Sequence, residues 1–220
     1  MNEFGLIDYI KMARARGVRL PISYFCQNHL FDLVRRVDTH IWEPDSNLSL
    51  TEGNKDNGVF YMASWRNVVV ESTKHVINDM DEPLSNFAFL DVGCGKGKVI
   101  LVWAELLPDN VKIVGVDYNE NLLSVCRENL TKRAKLERVN LIQSDVTKVN
   151  LGFLDSIVVY LYNPFSAHIL NRFMQNLKGK KVYVIYNNPI HSEVFHNWHF
   201  TCIYQKKSWH PNACFNIYKS

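Results

Sequence analysis

The 220-residue chain has no C-x-x-C cysteine pair and no apolar run long enough to cross a membrane, which takes about 20 residues. The N-terminus, MNEFGLIDYIKMARARG, also lacks the basic start and apolar centre of a signal peptide. Its five cysteines are widely scattered, which argues against a disulfide framework and against a zinc site. We therefore expect a cytoplasmic protein whose thiols are reduced.

A strong excess of charge is absent as well. The formal net charge is +3, and nucleic-acid-binding domains are usually far more basic, so composition gives no support for a nucleic-acid partner. The basic residues that do cluster lie near the N-terminus, where such a segment could contact an anionic or membrane-borne partner: Lys11, Arg14, Arg16, Arg19, Arg35 and Arg36.

Glycine is sparse, yet three of the ten glycines fall within five residues. Gly93, Gly95 and Gly97 lie in FLDVGCGKGKVIL, between two apolar runs. Glycine weakens any helix or strand that contains it, because it loses the most backbone freedom on folding. The cluster therefore predicts a turn where a ligand comes close to the backbone.

Strand and helix patterns alternate from Phe87 onward, which predicts an α/β fold with a mostly parallel sheet covered on both faces. The predicted strands are FAFLDV, KIVGVD, VNLIQSD, SIVVYLYN and KVYVIYNN, and the tail predicts an antiparallel hairpin. The helices are KVILVWAELL, NENLLSVCRENLTKRAKL and SAHILNRFMQNL, with Asn119 and Ser166 as N-caps of the last two. Residues 1–86 are predicted to form a helical cap, and residues 87–220 the core.

The glycine pattern excludes two common nucleotide sites. Val99 follows Lys98 where a P-loop needs a hydroxyl, and Lys98 occupies the third glycine position of a dinucleotide fingerprint. The pattern is instead D-x-G-x-G-x-G. Asp91, Asp117 and Asp145 each follow or end one of three successive predicted strands, and this arrangement favours a cationic nucleoside over a pyrophosphate.

The segments FLDVGCGKG, VGVDYN and QSDV resemble the cofactor motifs of class I S-adenosylmethionine-dependent methyltransferases. The resemblance implies a Rossmann-like seven-stranded sheet whose last hairpin inserts antiparallel, with S-adenosylmethionine as cofactor and S-adenosylhomocysteine as product. It also implies that Asp91, Gly93, Gly95 and Gly97 bind the methionine end, Asp117 the ribose and Asp145 the adenine. Their neighbours Cys94, Tyr118 and Val146 are further candidate cofactor-binding residues.

The end of the fourth strand predicts the acceptor side. VYLYNPF is similar to the NPF segment of a poorly characterised bacterial group, some of whose members belong to glycan or secondary-metabolite clusters. It also resembles the N-P-P-[YF] motif of amino-directed methyltransferases, but the second proline is missing. Asn163, Tyr162 and Tyr61 are the candidate catalytic residues, and Asn163 would also border the cofactor. We expect Lys96 and Lys98 to be solvated or to rest on the helix surface.

These features predict metal-independent methyl transfer, by in-line displacement, to a hydroxyl of a small molecule or sugar. An amine acceptor, on a protein side chain or a small molecule, is the alternative. A non-catalytic adenosyl-binding protein is a further one. The sequence leaves the oligomeric state open.

Overall fold

A seven-stranded sheet forms the centre of the computed structural model, which describes residues 6–40, 62–162 and 165–220. The strand order is β3-β2-β1-β4-β5-β7-β6. The strands are β1 (Ala88–Val92), β2 (Lys112–Asp117), β3 (Val139–Gln143), β4 (Ser156–Tyr162), β5 (Lys181–Asn187), β6 (Thr201–Lys206) and β7 (Phe215–Lys219). Strands β1 to β5 are parallel, and β7 is inserted antiparallel between β5 and β6. The predicted Rossmann-like topology is confirmed.

Helices cover both faces of the sheet and also precede it. They are α1 (Leu6–Arg16), α2 (Arg19–Tyr24), α3 (Leu30–Arg35), α4 (Arg66–Asp79), α5 (Lys98–Leu106), α6 (Glu120–Lys132), α7 (Ala167–Gln175) and α8 (Ser192–Asn197). A π-helical turn over Phe25–His29 joins α2 to α3 without a break. Over the described part of the chain, no helix combines the length and the apolar character needed to cross a membrane.

The predicted caps have different outcomes. Asn119 caps α6 as expected, because its Oδ1 accepts the N–H groups of Asn121 at 2.9 Å and Leu122 at 3.4 Å. Ser166 occupies the N-cap position of α7, but its side chain makes no capping bond, so that prediction is wrong. Helix α6 also ends earlier than predicted, because Ala134 adopts a left-handed conformation with φ of 51°.

Two apolar layers lie on opposite faces of the sheet. On β1, Phe89 packs into the layer beneath α4 and α5, whereas Leu90 and Val92 pack into the layer beneath α7. Every residue of β1 is buried. This double burial explains why the strands are apolar without alternation.

The order of the strands reverses between β1 and β4, which are direct neighbours. Val92 pairs with Leu161, so the glycine turn after β1 begins beside the carboxyl end of β4, at the same edge of the sheet. In open α/β sheets ligands bind at the carboxyl ends of the strands at such a switch point.

Candidate active site

The turn after β1 requires glycine. Gly93, Gly95 and Gly97 all have positive φ, of 75°, 51° and 84°. A Cβ added at Gly97 would lie only 2.4 Å from Sγ of Cys126, so α6 packs directly against the turn. The glycines thus serve both a left-handed backbone and a close approach.

The N–H groups of the turn are largely used within the protein. Gly93 and Cys94 donate to the carbonyl oxygen of Val116 at 2.8 and 3.0 Å, and Gly95 donates to Oδ2 of Asp117 at 2.8 Å. Phosphate sites in similar folds depend on such N–H groups pointing at the ligand. The turn therefore suits a ligand without phosphate.

Two buried acids beside the turn suit a cationic ligand. Burial raises the pKa of Asp117, although the hydrogen bonds from the backbone of Asn119 and Gly95 oppose this shift. Burial, and then the neighbouring charge of Asp117, raise the pKa of Asp91 well above its usual range. A positive charge bound nearby would reduce the cost of ionising both carboxyls. The residues present therefore fit a sulfonium nucleoside with an amino-acid tail.

The remaining predicted cofactor residues lie close to the same edge. Asp145 follows β3 by two residues, and its Oδ1 accepts both the N–H and the hydroxyl of Thr147 at 2.8 Å. Val146 is buried in the apolar layer beneath α7, whereas Tyr118 is partly exposed after β2. Their contacts with ribose and adenine stay predictions, as do those of the glycine turn with the methionine end.

Of the predicted catalytic residues, the structure describes Tyr162. Its side chain is largely buried at the end of β4, and its hydroxyl has no hydrogen-bond partner among the described residues. Burial, and to a lesser extent the nearby Tyr24, raise the pKa of this hydroxyl. Tyr61 and Asn163 lie outside the described residues, so their roles stay predictions.

Lys96 and Lys98 are buried, and the prediction that they are solvated is wrong. Lys98 Nζ donates to the carbonyl oxygen of Gln27 at 2.6 Å and to Oδ1 of Asn28 at 2.8 Å. Lys96 Nζ lies 3.0 Å from Oδ2 of Asp38. The N-terminal segment is therefore bound to the glycine turn by a lysine on either side of Gly97.

Asn129 of α6 strengthens this connection. Its Nδ2 donates to the carbonyl oxygens of Asp38 at 2.6 Å and Lys96 at 3.0 Å, and its Oδ1 accepts the N–H of Asp38 at 2.9 Å. This contact could not be predicted from the sequence, because Asp38 and Asn129 are separated by 91 residues along the chain. The backbone of Asp38 thus lies beside the backbone of the glycine turn.

The same N-terminal segment holds a carboxylate–imidazole pair that the sequence analysis missed. Oδ2 of the buried Asp32 lies 2.5 Å from Nδ1 of His40 and also accepts the N–H of Thr39 at 2.6 Å. The rings of His29 and His40 are 4.0 Å apart. Burial, followed by the interaction with His40, lowers the pKa of His29 to about 4, so His29 is neutral at physiological pH.

Replacing Lys98 with methionine should change how the free energy of unfolding depends on pH. Burial lowers the pKa of Lys98 from 10.5 to about 7. Between these values the unfolded chain holds a proton that the folded protein lacks, so the wild type gains stability as pH rises, by about 1.4 kcal/mol per unit. Methionine cannot titrate. Urea unfolding should therefore show that, from about pH 7 to about pH 10.5, the free energy of unfolding of the wild type rises relative to that of Lys98→Met.

The matched control is Lys148→Met, since Lys148 is exposed. Its stability should follow the wild type at every pH. Parallel pH profiles for the wild type and Lys98→Met would show that Lys98 is not buried as described.

The parallel sheet, the glycine turn at its switch point and the buried acids define a class I S-adenosylmethionine-dependent methyltransferase. Residues 83–219 match a family described as a methyltransferase domain, and the chain belongs to this family. S-adenosylmethionine is its cofactor, and its activity is methyl transfer from that cofactor. No curated protein matches the chain.

Solved structures share the fold at low sequence identity. A SAM-dependent methyltransferase from Aquifex aeolicus has a TM-score of 0.53 and 16% identity, over 70% of this chain and 91% of that one. An RNA methyltransferase from Salinibacter ruber, solved with S-adenosyl-L-homocysteine, has a TM-score of 0.52 and 14% identity, and the match covers 72% of this chain and 92% of that one. The mitomycin 7-O-methyltransferase MmcR has a TM-score of 0.51 and 11% identity, and the match covers 70% of this chain and 53% of that one.

Proposed function

We propose that the protein methylates a hydroxyl of a small molecule or sugar, without a metal ion, and that His40 is the general base. The bound cofactor supplies an activated methyl group on a positively charged sulfur. A hydroxyl acceptor must lose its proton as it attacks, so such a site needs a base within hydrogen-bond reach. The observation that carries the proposal is the contact between Asp32 and His40.

Asp32 is suited to orient His40. Burial alone would raise the pKa of Asp32, but hydrogen bonds from His40 and Thr39 outweigh it and hold the pKa below its usual value. An ionised carboxylate can only accept, so Nδ1 of His40 carries the proton of their hydrogen bond. Nε2 is then the atom with a lone pair. A base oriented by a third group is the arrangement that activates hydroxyls in many enzymes.

The position of the pair supports the proposal. His40 follows by two residues Asp38, which contacts Lys96 of the glycine turn. Burial, and then the charge of Asp32, raise the pKa of Tyr24, and burial, and then Tyr24, raise the pKa of Tyr162 at the end of β4. The buried hydroxyl of Tyr162 has no partner among the described residues, so a polar group of the acceptor would satisfy it.

The similarity of VYLYNPF to the NPF group is a second reason to favour a hydroxyl of a glycan or natural product. A nitrogen acceptor would depend on Asn163 and Pro164, which the structure does not describe. No described contact favours it.

The test compares hydroxyl and amine acceptors. Purified protein and S-adenosylmethionine are incubated with monosaccharides, phenols or primary amines, and the release of S-adenosylhomocysteine is measured. We expect turnover with a hydroxyl acceptor, and His40→Gln should lower kcat on the order of 10²- to 10⁴-fold, the usual contribution of a general base. Affinity for S-adenosylhomocysteine should be unchanged by this substitution.

His168→Gln is the matched control, because His168 is exposed on α7. It should keep the activity of the wild type. Transfer to amines only, or full activity in His40→Gln, would refute the proposal.

A further inference from the structure

The N-terminal helices expose an unusual amount of apolar surface. Outside these helices, the described residues include five exposed large apolar side chains: Met62, Leu136, Phe153, Ile190 and Trp209. Residues 7–34 alone carry eight: Ile7, Ile10, Val18, Ile22, Phe25, Leu30, Leu33 and Val34. Soluble monomers rarely expose contiguous apolar patches of this kind unless the patch binds something.

Six of these side chains form one outward stripe along α2 and α3. Val18, Ile22 and Phe25 follow the i, i+4, i+7 spacing of one helix face. A π-helical turn accommodates an extra residue, so Leu30 rather than His29 continues the stripe after Phe25. Leu33 and Val34 extend it by a further turn. Leu33 is 73% exposed and Ile22 62%.

The inward face of the same helices is partly polar. Asn28 and Asp32 are buried there, where they contact Lys98 and His40. A surface helix of a globular protein normally has the opposite arrangement, with its apolar stripe facing the core. The outward stripe is therefore not explained by packing within the described chain.

Exposed basic side chains accompany the apolar ones in the same segment. Lys11 and Arg14 share a face of α1 with Ile7 and Ile10, and Arg36 follows the end of α3; all three basic residues are exposed. The acids of the described segment are already engaged. Asp8 lies 3.8 Å from Nζ of Lys11, Asp32 contacts His40, and Asp38 contacts Lys96. Among the described residues, no acid lies within salt-bridge distance of Arg14 or Arg36, so these two carry the uncompensated charge.

We infer that the stripe on α2 and α3, together with the exposed basic residues of the same segment, binds the surface of an anionic lipid bilayer. Amphipathic helices with basic residues lie in the membrane interface with their apolar side chains among the headgroups. A second copy of the chain fits less well. A two-fold dimer would place the same patch of both copies in one interface and leave the excess positive charge of the segment uncompensated. Lipid phosphates would neutralise these charges.

The test is flotation of the full chain with phosphatidylcholine vesicles that contain or lack phosphatidylglycerol, at low and high salt. The wild type should float with the anionic vesicles at low salt, and added salt should weaken this binding. The double substitution Ile22→Gln with Leu33→Gln removes two apolar side chains from the stripe. It should lower the partition coefficient by roughly tenfold or more.

The matched control is Phe153→Gln with Ile190→Gln, which removes two exposed apolar side chains outside the stripe. It should bind vesicles as the wild type does. S-adenosylhomocysteine binding, measured by calorimetry, should be the same in both double variants, so this test stands apart from that of the proposed acceptor.

Three results would overturn the inference. The first is a monomer that binds neither kind of vesicle. The second is vesicle binding that both double variants retain equally. The third is a wild-type dimer in light scattering that becomes monomeric in Ile22→Gln with Leu33→Gln, since this would make the stripe a subunit interface.

Discussion

Gly97→Ala should lower the affinity for S-adenosylhomocysteine at least about tenfold and the free energy of unfolding by roughly 2–5 kcal/mol. Two costs add. An alanine at φ of 84° adopts a left-handed conformation, and its Cβ would lie 2.4 Å from Sγ of the buried Cys126. Calorimetry and urea unfolding measure the two effects. The affinity falls because relief of the contact must move the cofactor turn or α6.

Gly179→Ala separates these costs. Gly179 has φ of 78°, but an added Cβ would meet nothing within 4 Å. This variant should lose only about 1–2 kcal/mol of stability and keep its affinity. Adding Cys126→Ala to Gly97→Ala removes the clashing sulfur, so the double variant should be more stable than the sum of the single effects predicts. Equal losses in both glycine variants would show that the close approach is unimportant.

Asp117→Ala should weaken the binding of S-adenosylhomocysteine by roughly 1.5–3 kcal/mol, the usual effect of losing hydrogen bonds to a charged group. The carboxylate accepts the N–H groups of Gly95 and Asn119, so its removal leaves two buried donors without partners. Calorimetry measures the affinity. Unchanged affinity would contradict any role of Asp117 in the cofactor site.

A second ligand distinguishes two roles of Asp117, namely support of the glycine turn and contact with the ribose. If Asp117 binds a ribose hydroxyl, the wild type should prefer S-adenosylhomocysteine to its 2′-deoxyribose analogue, and Asp117→Ala should lose this preference. If Asp117 acts only by holding the N–H of Gly95, the variant should weaken both ligands equally. The structure makes this comparison necessary, because both carboxylate oxygens already accept backbone hydrogen bonds.

Much of the core could be predicted because its signals are local. Strands buried on both faces must be apolar throughout, so β1, β2, β4 and β5 stand out in the sequence. A left-handed turn needs glycine, and the three glycines after β1 do adopt positive φ. Asn119 was recognisable as a cap because capping involves only the next three residues.

The contacts of the N-terminal segment could not be predicted in the same way. A lysine is normally solvated, and nothing near Lys98 in the chain indicates that Gln27 and Asn28 provide its acceptors. The pair of Asp32 and His40 depends equally on tertiary structure, because the chain must turn after α3 to bring the two side chains together. Ser166 is a different case. Serine is a favoured N-cap residue and Ser166 occupies the N-cap position of α7, yet its hydroxyl makes no capping hydrogen bond.

The paired lysines on either side of Gly97 have a consequence for exchange of parts between related enzymes. A catalytic core transplanted without its own N-terminal segment would carry two buried lysines whose acceptor oxygen atoms the new host does not supply. The N-terminal segment and the glycine turn must therefore be exchanged together, although more than 50 residues separate them along the chain.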